Sequence, residues 1–542
     1  MLSSATEKAY DHDDNNNNEP QNYQQACKSI AEQLERNKNL LSIKQVLRVV
    51  RQVASEYDLD RIPKNEHIIR YLQDSHYYRH LLMVKPAKTA SGVAVIAVMP
   101  KPYACPHGRC IYCPGGLEFN TPLSYTGTEP ATKVAQRFSY DAYEQVRSKM
   151  EQLQSRGHDL GKTEVVIVGG TFPFMPADYQ KHFAKSCYDA LNGEKSSTLR
   201  QAIACNETAE NRCVGFTVET KPDYCKESHI DLMLELGVTR IEIGVQSLNN
   251  KVYKLVNRGH TLDDVVRAFK IARDAGYKIV AHMMPGLPGS SPKEDTEDFR
   301  QLFEDDSFKP DMLKIYPTLV LKHTGLYNMH KNGKYPAYSE DELINIIVEV
   351  KKVVPEWVRI MRMQREIESK DIIAGPKSGN LRQIVLKNLR QQGYTCRCIR
   401  CRETGLQRRY PSEKEVELRR IDYSASGGRE VFLSYESKGG GDTILGFLRM
   451  RKVAKPHRDE LDSSAVVREL HIYGQLINIG RSDSGDSYQH RGLGMKLLKE
   501  AERISKEELG VNKIAVISAV GTRQYYKKLG YRQDGPYVSK VL

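Results

Sequence analysis

The sequence predicts a chain of mixed α/β class, in which a parallel sheet curls into a barrel or part of one and a smaller α+β domain follows. The 542 residues suffice for three to four domains of about 150 residues each. Between residues 90 and 320, short runs rich in β-branched residues alternate with helical stretches, which is typical of a parallel sheet. After residue 424 the pattern changes to neighbouring strands of antiparallel type and then a helix.

The first element is an N-terminal tail, residues 1–20, whose acidic and Asn-rich composition predicts disorder. Residues 21–85 carry apolar side chains at three- and four-residue spacing, as at Val46 and Val50, which predicts helices. From residue 28 to residue 88 there are twelve basic residues and seven acidic ones. We therefore expect a small helical module that contacts phosphates.

Six runs form the predicted parallel sheet, and right-handed crossovers would curl them into a barrel. The runs are Val93–Val98, Glu164–Val168, Val214–Val218, Arg240–Val245, Lys278–Met283 and Met312–Tyr316. Helices such as Thr132–Ser155 and Leu262–Ala275 are expected between them. Because chemistry in such folds lies at the C-terminal strand ends, turn residues such as Gly169-Gly170 mark the candidate site.

The composition restricts the function classes. No run of about 18 apolar residues exists, so a membrane-spanning helix is not expected. The first residues lack the apolar core of a secretion signal, which predicts a cytoplasmic chain. The chain has 81 Lys and Arg residues against 68 acidic ones. This excess favours a nucleic-acid partner, with simple solubility as the alternative.

The eleven cysteines include two clusters, which predict metal sites in a chain without an export signal. Cys105, Cys110 and Cys113 follow the first predicted strand. Three thiols without a fourth can bind a four-iron cluster and leave one iron open to a substrate. The alternative is a zinc site with His107 as the fourth ligand.

The second cluster is Cys396, Cys398 and Cys401, for which the sequence identifies no fourth ligand. It lies in the segment 376–420, which contains twelve Lys and Arg residues and four Glu residues. This segment is expected to link the two larger domains.

A glycine-containing loop, Gln489-His-Arg-Gly492-Leu-Gly494, precedes a predicted helix in the last domain. Its glycines allow close approach to a ligand, and a helix start offers free N–H groups to a pyrophosphate. A purely structural helix cap is the alternative.

The first cysteine loop resembles the radical S-adenosylmethionine (SAM) superfamily, although C-x4-C-x2-C departs from the commonest C-x3-C-x2-C spacing. The resemblance implies a four-iron four-sulfur ([4Fe–4S]) cluster and SAM as cofactors. It implies that Tyr112 lies against the SAM adenine. It also implies that Gly169, Gly170 and Thr171 form the turn whose carbonyls meet the SAM amino group.

The last domain resembles the GNAT acetyltransferases, whose Q/R-x-x-G-x-G/A loop holds the pyrophosphate of coenzyme A. In that superfamily a late tyrosine often lies near the thioester sulfur, and Tyr526 or Tyr525 is the candidate here.

From about residue 86 to residue 542 the chain resembles the family of the Elongator catalytic subunit. The motifs that carry this resemblance include CPGG at Cys113–Gly116, ETKPDYC at Glu219–Cys225, RIEIGVQS at Arg240–Ser247, NRGHT at Asn257–Thr261, AHMMPGLP at Ala281–Pro288 and RELHIYG at Arg468–Gly474. The resemblance implies an enzyme that uses SAM-derived radicals and acetyl-CoA to form 5-carboxymethyluridine at the tRNA wobble position. The short first loop resembles archaeal or bacterial members.

The same resemblance implies the site residues. Tyr526 matches the family's late tyrosine, and Lys162 matches a lysine that touches acetyl-CoA. Lys314 and Tyr316, at the end of the sixth strand, are assigned to the active site. The acetyl-CoA contacts are expected from Glu469, Leu470, His471, Ile472, Leu493, Gly494, Met495 and Lys496. The second cysteine cluster matches a zinc site of some members.

The predicted domains are a tail (1–20), a helical tRNA-binding module (21–85), a radical SAM domain (86–375), a basic zinc-site linker (376–420) and a GNAT domain (421–542). The expected partners are tRNA, acetyl-CoA and an electron donor, with other Elongator subunits or a second copy of the chain as alternatives. The main rival function is a protein lysine acetyltransferase that keeps a vestigial barrel.

Overall fold

The computed structural model describes residues 19–37, 42–73, 76–409, 411–438, 443–453, 455–474 and 492–542. The predicted tail up to residue 18 lies outside these residues, as does Gln489 of the predicted ligand-binding loop. The chain divides into two compact units. One comprises residues 1–86 with 151–158, and the other comprises residues 87–150 with 159–542.

The first unit is helical, as predicted. Its helices are α1 (Gln21–Arg36), α2 (Ile43–Glu56), α3 (Asn65–Ile69) and α4 (His76–Leu82). The Ser42 side chain accepts a hydrogen bond from the Gln45 amide at 3.4 Å and so caps α2. Val46, Val50 and Val53 of the predicted apolar stripe are buried in this unit's core.

The second unit contains the predicted parallel barrel, with seven strands rather than six. The strands are β1 (Ala94–Val98), β2 (Lys162–Ile167), β3 (Arg212–Thr220), β4 (Arg240–Gln246), β5 (Lys278–Met283), β6 (Met312–Ile315) and, after the short strand β7 (Val320–Leu321), β8 (Arg359–Arg362). Neighbouring strands pair in parallel in this order, with β7 left out. β7 pairs instead with β9 (Ile372–Ala374).

Helices connect the strands of this unit. They are α5 (Pro130–Arg137), α6 (Ala142–Ser155), α7 (Ala177–Asn192), α8 (Leu199–Asn206), α9 (Glu227–Glu235), α10 (Asn250–Leu255), α11 (Leu262–Asp274), α12 (Pro292–Glu304), α13 (Gly325–Lys331), α14 (Glu340–Val353), α15 (Leu381–Gln391), α16 (Ile399–Arg402) and α17 (Thr404–Gln407). The single helix predicted over Thr132–Ser155 is wrong. Ser139 and Tyr140 have φ of 49° and 63°, which ends one helix before the next begins.

The last part of this unit is the predicted α+β domain. Its strands are β10 (Val416–Ala425), β11 (Gly428–Ser437), β12 (Ile444–Lys452), β13 (Ser464–Ile472), β14 (Lys513–Val516), β15 (Arg532–Asp534) and β16 (Tyr537–Val541), with helices α18 (Leu493–Arg503) and α19 (Arg523–Lys527). β13 and β14 run in parallel only from Ser464 to Val467, and β13 then continues for five residues. The two strands therefore leave an opening beyond Val467.

A network of buried charges joins this domain to the N-terminal ends of the barrel strands. Arg468 of β13 pairs with Asp311, just before β6, at 2.5 Å. Arg451 of β12 pairs with Asp274 of α11 at 2.6 Å. All four side chains are almost fully buried. The domain thus occupies the barrel end opposite to the C-terminal strand ends.

Among the described residues, no helix combines the length and the hydrophobicity that crossing a bilayer requires.

Candidate active site

The first cysteine loop lies at the C-terminal end of the barrel and lines a cavity of about 190 Å³. Cys110 and Cys113 are buried, and Cys105 is half-buried. The Ser124 amide donates a hydrogen bond to Cys113 Sγ at 3.0 Å. His107 Nε2 lies 3.2 Å from Cys110 Sγ. These contacts fix the positions of Cys110 and Cys113 at the wall of the cavity.

The turn after β2 forms another wall of this cavity. Gly169 and Gly170 have φ of 116° and 102°, which glycine adopts readily and other residues do not. Thr171 Oγ1 lies 3.8 Å from Cys105 Sγ. The structure therefore brings the predicted SAM-binding turn next to the cysteine loop. Gly170 and Thr171 line the cavity together with Tyr112.

Two thiols of this loop, those of Cys105 and Cys113, favour their protonated form in the metal-free protein. Burial raises the pKa of Cys113 to about 11 and also raises the pKa of Cys105. Tyr112 is buried, and the burial raises its pKa. In the part of the chain that the structure describes, no group satisfies its hydroxyl by the geometry of a hydrogen bond. A metal cluster would have to displace the thiol protons on binding.

Charged side chains inside the barrel form the floor of this cavity. Glu242 Oε2 accepts hydrogen bonds from His282 Nε2 at 2.8 Å and from the Lys314 ammonium. Burial would raise the pKa of Glu242, but Lys314 and His282 outweigh it and hold the pKa well below the usual range. Tyr316 lines the cavity, with its ring edge-on to His282 at 5.3 Å. Lys314 does not line the cavity and contacts it only through its ion pair with Glu242.

Sequence reasoning missed Glu219, Glu242 and His282, although all three line the cavity. A signal was present in the strands. Parallel strands buried on both faces are almost wholly apolar, so a Glu within RIEIGV and a His within KIVAHM are exceptions. Such exceptions point to the barrel interior.

The second cysteine cluster is packed more tightly. The sulfurs of Cys396, Cys398 and Cys401 lie within 4.8 Å of one another. The buried Lys351 of α14 donates hydrogen bonds to Cys396 Sγ at 3.2 Å and to Cys401 Sγ at 3.7 Å. Hydrogen bonds from Cys396 and Cys401 hold the pKa of Cys398 well below its usual value.

The two clusters fit different metals. Tetrahedral zinc with Zn–S bonds of about 2.3 Å places sulfurs about 3.8 Å apart, which the second cluster fits. Among the described residues, no fourth His, Cys, Asp or Glu joins those three thiols. The first-loop sulfurs do not form such a close group. Their wider spread and the adjoining cavity fit a larger iron–sulfur cluster.

The opening between β13 and β14 receives the start of α18. Gly492, with φ of 74°, precedes this helix, whose first N–H groups have no partner within the helix. A Cβ built on Gly494 would lie 3.1 Å from Tyr525 Oη and 3.7 Å from Ile472 Cγ1. Leu493 is buried, whereas Met495 and Lys496 are exposed. This is the arrangement that a pyrophosphate at a helix start requires.

The two candidate tyrosines differ in position. Tyr525 is partly buried, and its hydroxyl is next to Gly494. Tyr526 lies in the domain core, only 6% exposed, and packs against Tyr531. Burial raises the pKa of both hydroxyls. The geometry therefore favours Tyr525 over Tyr526 as the side chain that meets a ligand in the opening.

The predicted stretch Glu469–Ile472 divides between the two faces of β13. Leu470 and Ile472 pack toward α18. Glu469 pairs with Arg449 at 2.8 Å, and His471 Nε2 lies 2.9 Å from the Ser91 carbonyl oxygen. Since alternate strand residues point to opposite faces, Glu469 and His471 can reach a ligand in the opening only through their backbone.

Lys162 begins β2, at the barrel end where the last domain packs. Its strand partner is Arg212, and a Cβ built on Gly521 would lie 2.5 Å from Arg212 Cβ. Burial lowers the pKa of Lys162 to about 8. The structure thus places Lys162 near the last domain and far along its strand from the cysteine loop.

Comparison with protein families divides the chain in the same order. Residues 23–90 match the ELP3 N-terminal domain, residues 99–303 the radical SAM superfamily, residues 310–391 the radical SAM C-terminal domain and residues 400–531 the acetyltransferase (GNAT) family.

Curated relatives are similar over nearly the whole chain. A tRNA uridine(34) acetyltransferase of Methanocaldococcus jannaschii is 46% identical over 89% of this chain and 90% of its own. The Elongator complex protein 3 of Saccharomyces cerevisiae is 44% identical over 91% of both chains. These identities are nearly equal, so the archaeal or bacterial type stays a prediction. A solved structure of Methanocaldococcus infernus Elp3 is 43% identical and covers 83% of this chain and 100% of its own, with a TM-score of 0.74.

Proposed function

Because the chain belongs to the family of Elongator complex protein 3 and the archaeal tRNA uridine(34) acetyltransferases, we propose that it modifies the wobble uridine of tRNA with a carbon unit from acetyl-CoA. One observation carries the proposal. A three-thiol loop beside a cavity and a helix start beside a strand opening occupy the two ends of one barrel. An ordinary acetyltransferase needs only the second of these.

The cavity residues fit the two cofactors of the radical SAM superfamily. Cys105, Cys110 and Cys113 would hold the iron–sulfur cluster, and SAM would lie against Tyr112 and the turn at Gly170. When bound, the cluster and SAM would supply the radical chemistry that replaces one hydrogen of the acetyl methyl group and the hydrogen on carbon 5 of the uridine by a carbon–carbon bond. The methyl hydrogen would pass to the adenosyl carbon of cleaved SAM, and the uridine hydrogen would leave as a proton with one electron. Hydrolysis of the thioester by water would then release coenzyme A and leave 5-carboxymethyluridine. Tyr316 and His282 line the space left for the uridine.

Acetyl-CoA would bind in the opening between β13 and β14. Its pyrophosphate would meet the N–H groups of Gly494 and Met495, and its thioester would lie near Tyr525. The six residues of β2 span about 20 Å between Lys162 and the cavity. The acetyl group must therefore leave the opening before it is coupled, and we expect tRNA to stimulate thioester hydrolysis.

The tRNA would contact the segment 376–420. Several of its twelve basic residues are committed to the fold, for example Arg402, which pairs with Glu436 at 2.9 Å. Exposed cations remain for phosphates, namely Lys377, Lys387, Arg390, Arg408, Arg409 and Lys414. The helical module at 21–85 would add a further contact. The same reaction needs an electron donor, and we place it in the cytoplasm, with other Elongator subunits or a second copy as the candidate protein partners.

The second cluster would hold a zinc ion with a structural role. Its three sulfurs have the spacing for zinc, and Lys351 lies against two of them. Zinc there would fix the basic segment onto α14.

The decisive experiment supplies tRNA, SAM, a reductant and acetyl-CoA labelled at the methyl carbon. Label on carbon 5 of the wobble uridine supports the proposal, and Cys110→Ala should abolish it while sparing tRNA-stimulated hydrolysis. Tyr525→Phe should slow hydrolysis while sparing SAM cleavage, with Tyr526→Phe as the comparison. Label found only on protein lysines would replace the proposal with a lysine acetyltransferase.

A further inference from the structure

Arg258 is a buried cation in the loop between α10 and α11, at the edge of the cysteine loop. It is 8% exposed. Its Nη2 donates a hydrogen bond to the Gly244 carbonyl oxygen at 2.7 Å, and its Nη1 lies 3.8 Å from Cys110 Sγ. Within the described ranges its Nε is buried without a partner. One backbone oxygen and one thiol are thus the hydrogen-bond partners that the described residues offer this charge.

The other buried arginines of the described chain are all paired with carboxylates within 4.0 Å. These are Arg240, Arg273, Arg402, Arg449, Arg451, Arg468 and Arg523. Among the residues that the structure describes, no carboxylate lies within that distance of Arg258. A buried charge is stable only when it is paired, so the unpaired guanidinium marks a place where an anion is to bind.

The groups around Arg258 do not supply that anion. The side chains around it are the thiols of Cys105 and Cys110 and the hydroxyl of Tyr112, and none of them is a carboxylate. Lys221 adds a second buried cation, but Asp223 lies 3.2 Å from its ammonium and offsets it. His107 and His260 bring no negative charge. Arg365 also lines the cavity, where it donates to the Ser124 carbonyl oxygen, but it is only half-buried. Among the described residues, the buried and uncompensated charge at the cysteine loop is therefore that of Arg258.

We propose that Arg258 is the counter-ion of the anionic iron–sulfur cluster and raises its reduction potential. This inference rests on the proposed function, since it takes the cluster to be held by Cys105, Cys110 and Cys113. Reduction adds one electron to an already anionic cluster, and a cation beside one of its thiolates stabilises the reduced form more than the oxidised form. Arg258 is thus a positioning residue that acts through the charge of the cluster. It need not touch the tRNA or the acetyl group.

The test compares reconstituted wild type with Arg258→Gln, Arg258→Lys and Lys221→Met, each titrated anaerobically with dithionite and followed by electron paramagnetic resonance without SAM. We expect Arg258→Gln to keep its iron but to be at least tenfold harder to reduce, which is a fall of about 59 mV for a one-electron couple. Arg258→Lys should stay within about threefold of wild type. Lys221→Met is the matched control, and its shift should be smaller because Asp223 already offsets Lys221.

An unchanged potential in Arg258→Gln, or a larger shift in Lys221→Met, would overturn the proposal. A shift that appears only when SAM is added would assign the charge to the SAM carboxylate instead and also overturn it. If Arg258→Gln loses its iron, retention of iron by Arg258→Lys supports the counter-ion role of Arg258. Loss of iron from both variants refutes that role. Wild type that takes up no iron contradicts the proposed function itself.

Discussion

The two cysteine clusters use the same residue in similar spacing and are built differently. The sulfurs of Cys105, Cys110 and Cys113 are spread around a cavity of about 190 Å³. Those of Cys396, Cys398 and Cys401 lie within 4.8 Å of one another and are capped by Lys351. The spacing of cysteines in a sequence therefore indicates that a metal binds. The space and the charges around the thiols decide which metal fits and whether a substrate can reach it.

The largest effect expected from this difference is that of Cys110→Ser. It should reduce the bound iron to near zero and lower the formation of modified uridine by more than about 10³-fold, because no other thiol can complete the site. Iron analysis and nucleoside mass spectrometry measure this. Cys398→Ser is the control and should keep its iron. Equal iron loss in both variants would remove the distinction between the clusters.

Cys398→Ser should instead destabilise the fold. We expect the variant to lose its zinc and about 4 kcal/mol in the free energy of unfolding. Removal of a metal site is among the most destabilising single changes. Denaturant titration and metal analysis measure both quantities. The denaturation midpoint of Cys110→Ser should differ much less from that of wild type, when both are measured without the iron–sulfur cluster. A zinc-free wild type of equal stability would contradict the structural role.

Lys351→Met tests whether the lysine contributes to the second cluster. Its two hydrogen bonds to sulfur are buried, so their loss should cost about 1–3 kcal/mol of stability. The neighbouring Lys352 pairs with Glu349 and lies 4.8 Å from the Tyr394 ring centre, and Lys352→Met should cost no more than about 1 kcal/mol. Similar losses in the two variants would show that the buried contact to the thiols has no special weight.

The smallest effect concerns the basic segment that follows the second cluster. Arg408→Glu with Arg409→Glu should weaken tRNA binding about tenfold at low salt and less at high salt, because phosphate contacts release counterions. Filter binding across a salt series measures this. Reversing the exposed Lys499 of α18 and Lys506 shortly after this helix serves as the control. Equal weakening by both pairs would indicate general charge and no specific contact.

Much of this architecture follows from local sequence, and the rest depends on distant partners. The β-branched runs and both cysteine loops are local patterns, so they were predicted. β8 was missed because Arg359–Arg362 is short and carries an arginine at each end. Arg258 was missed because its thiol partner is 148 positions away along the chain. Lys351 was missed for the same reason, at 45 positions from Cys396.

The choice between neighbouring side chains also needed the structure. Tyr525 and Tyr526 are indistinguishable as a dipeptide, and only the position of Gly494 separates them. Strand alternation would have predicted that Glu469–Ile472 divides between two faces, but not that one face meets Ser91 of the barrel.

The buried charges between the barrel and the last domain bear on how such a protein can evolve. Arg451 and Arg468 find carboxylates both in their own domain, at Glu430, and in the barrel, at Asp274 and Asp311. A C-terminal domain transplanted alone into another protein would expose these arginines with half of their partners gone. The acetyl-CoA site proposed for this domain is therefore not a portable module. The two halves are inherited together, and a change on one side must be matched on the other.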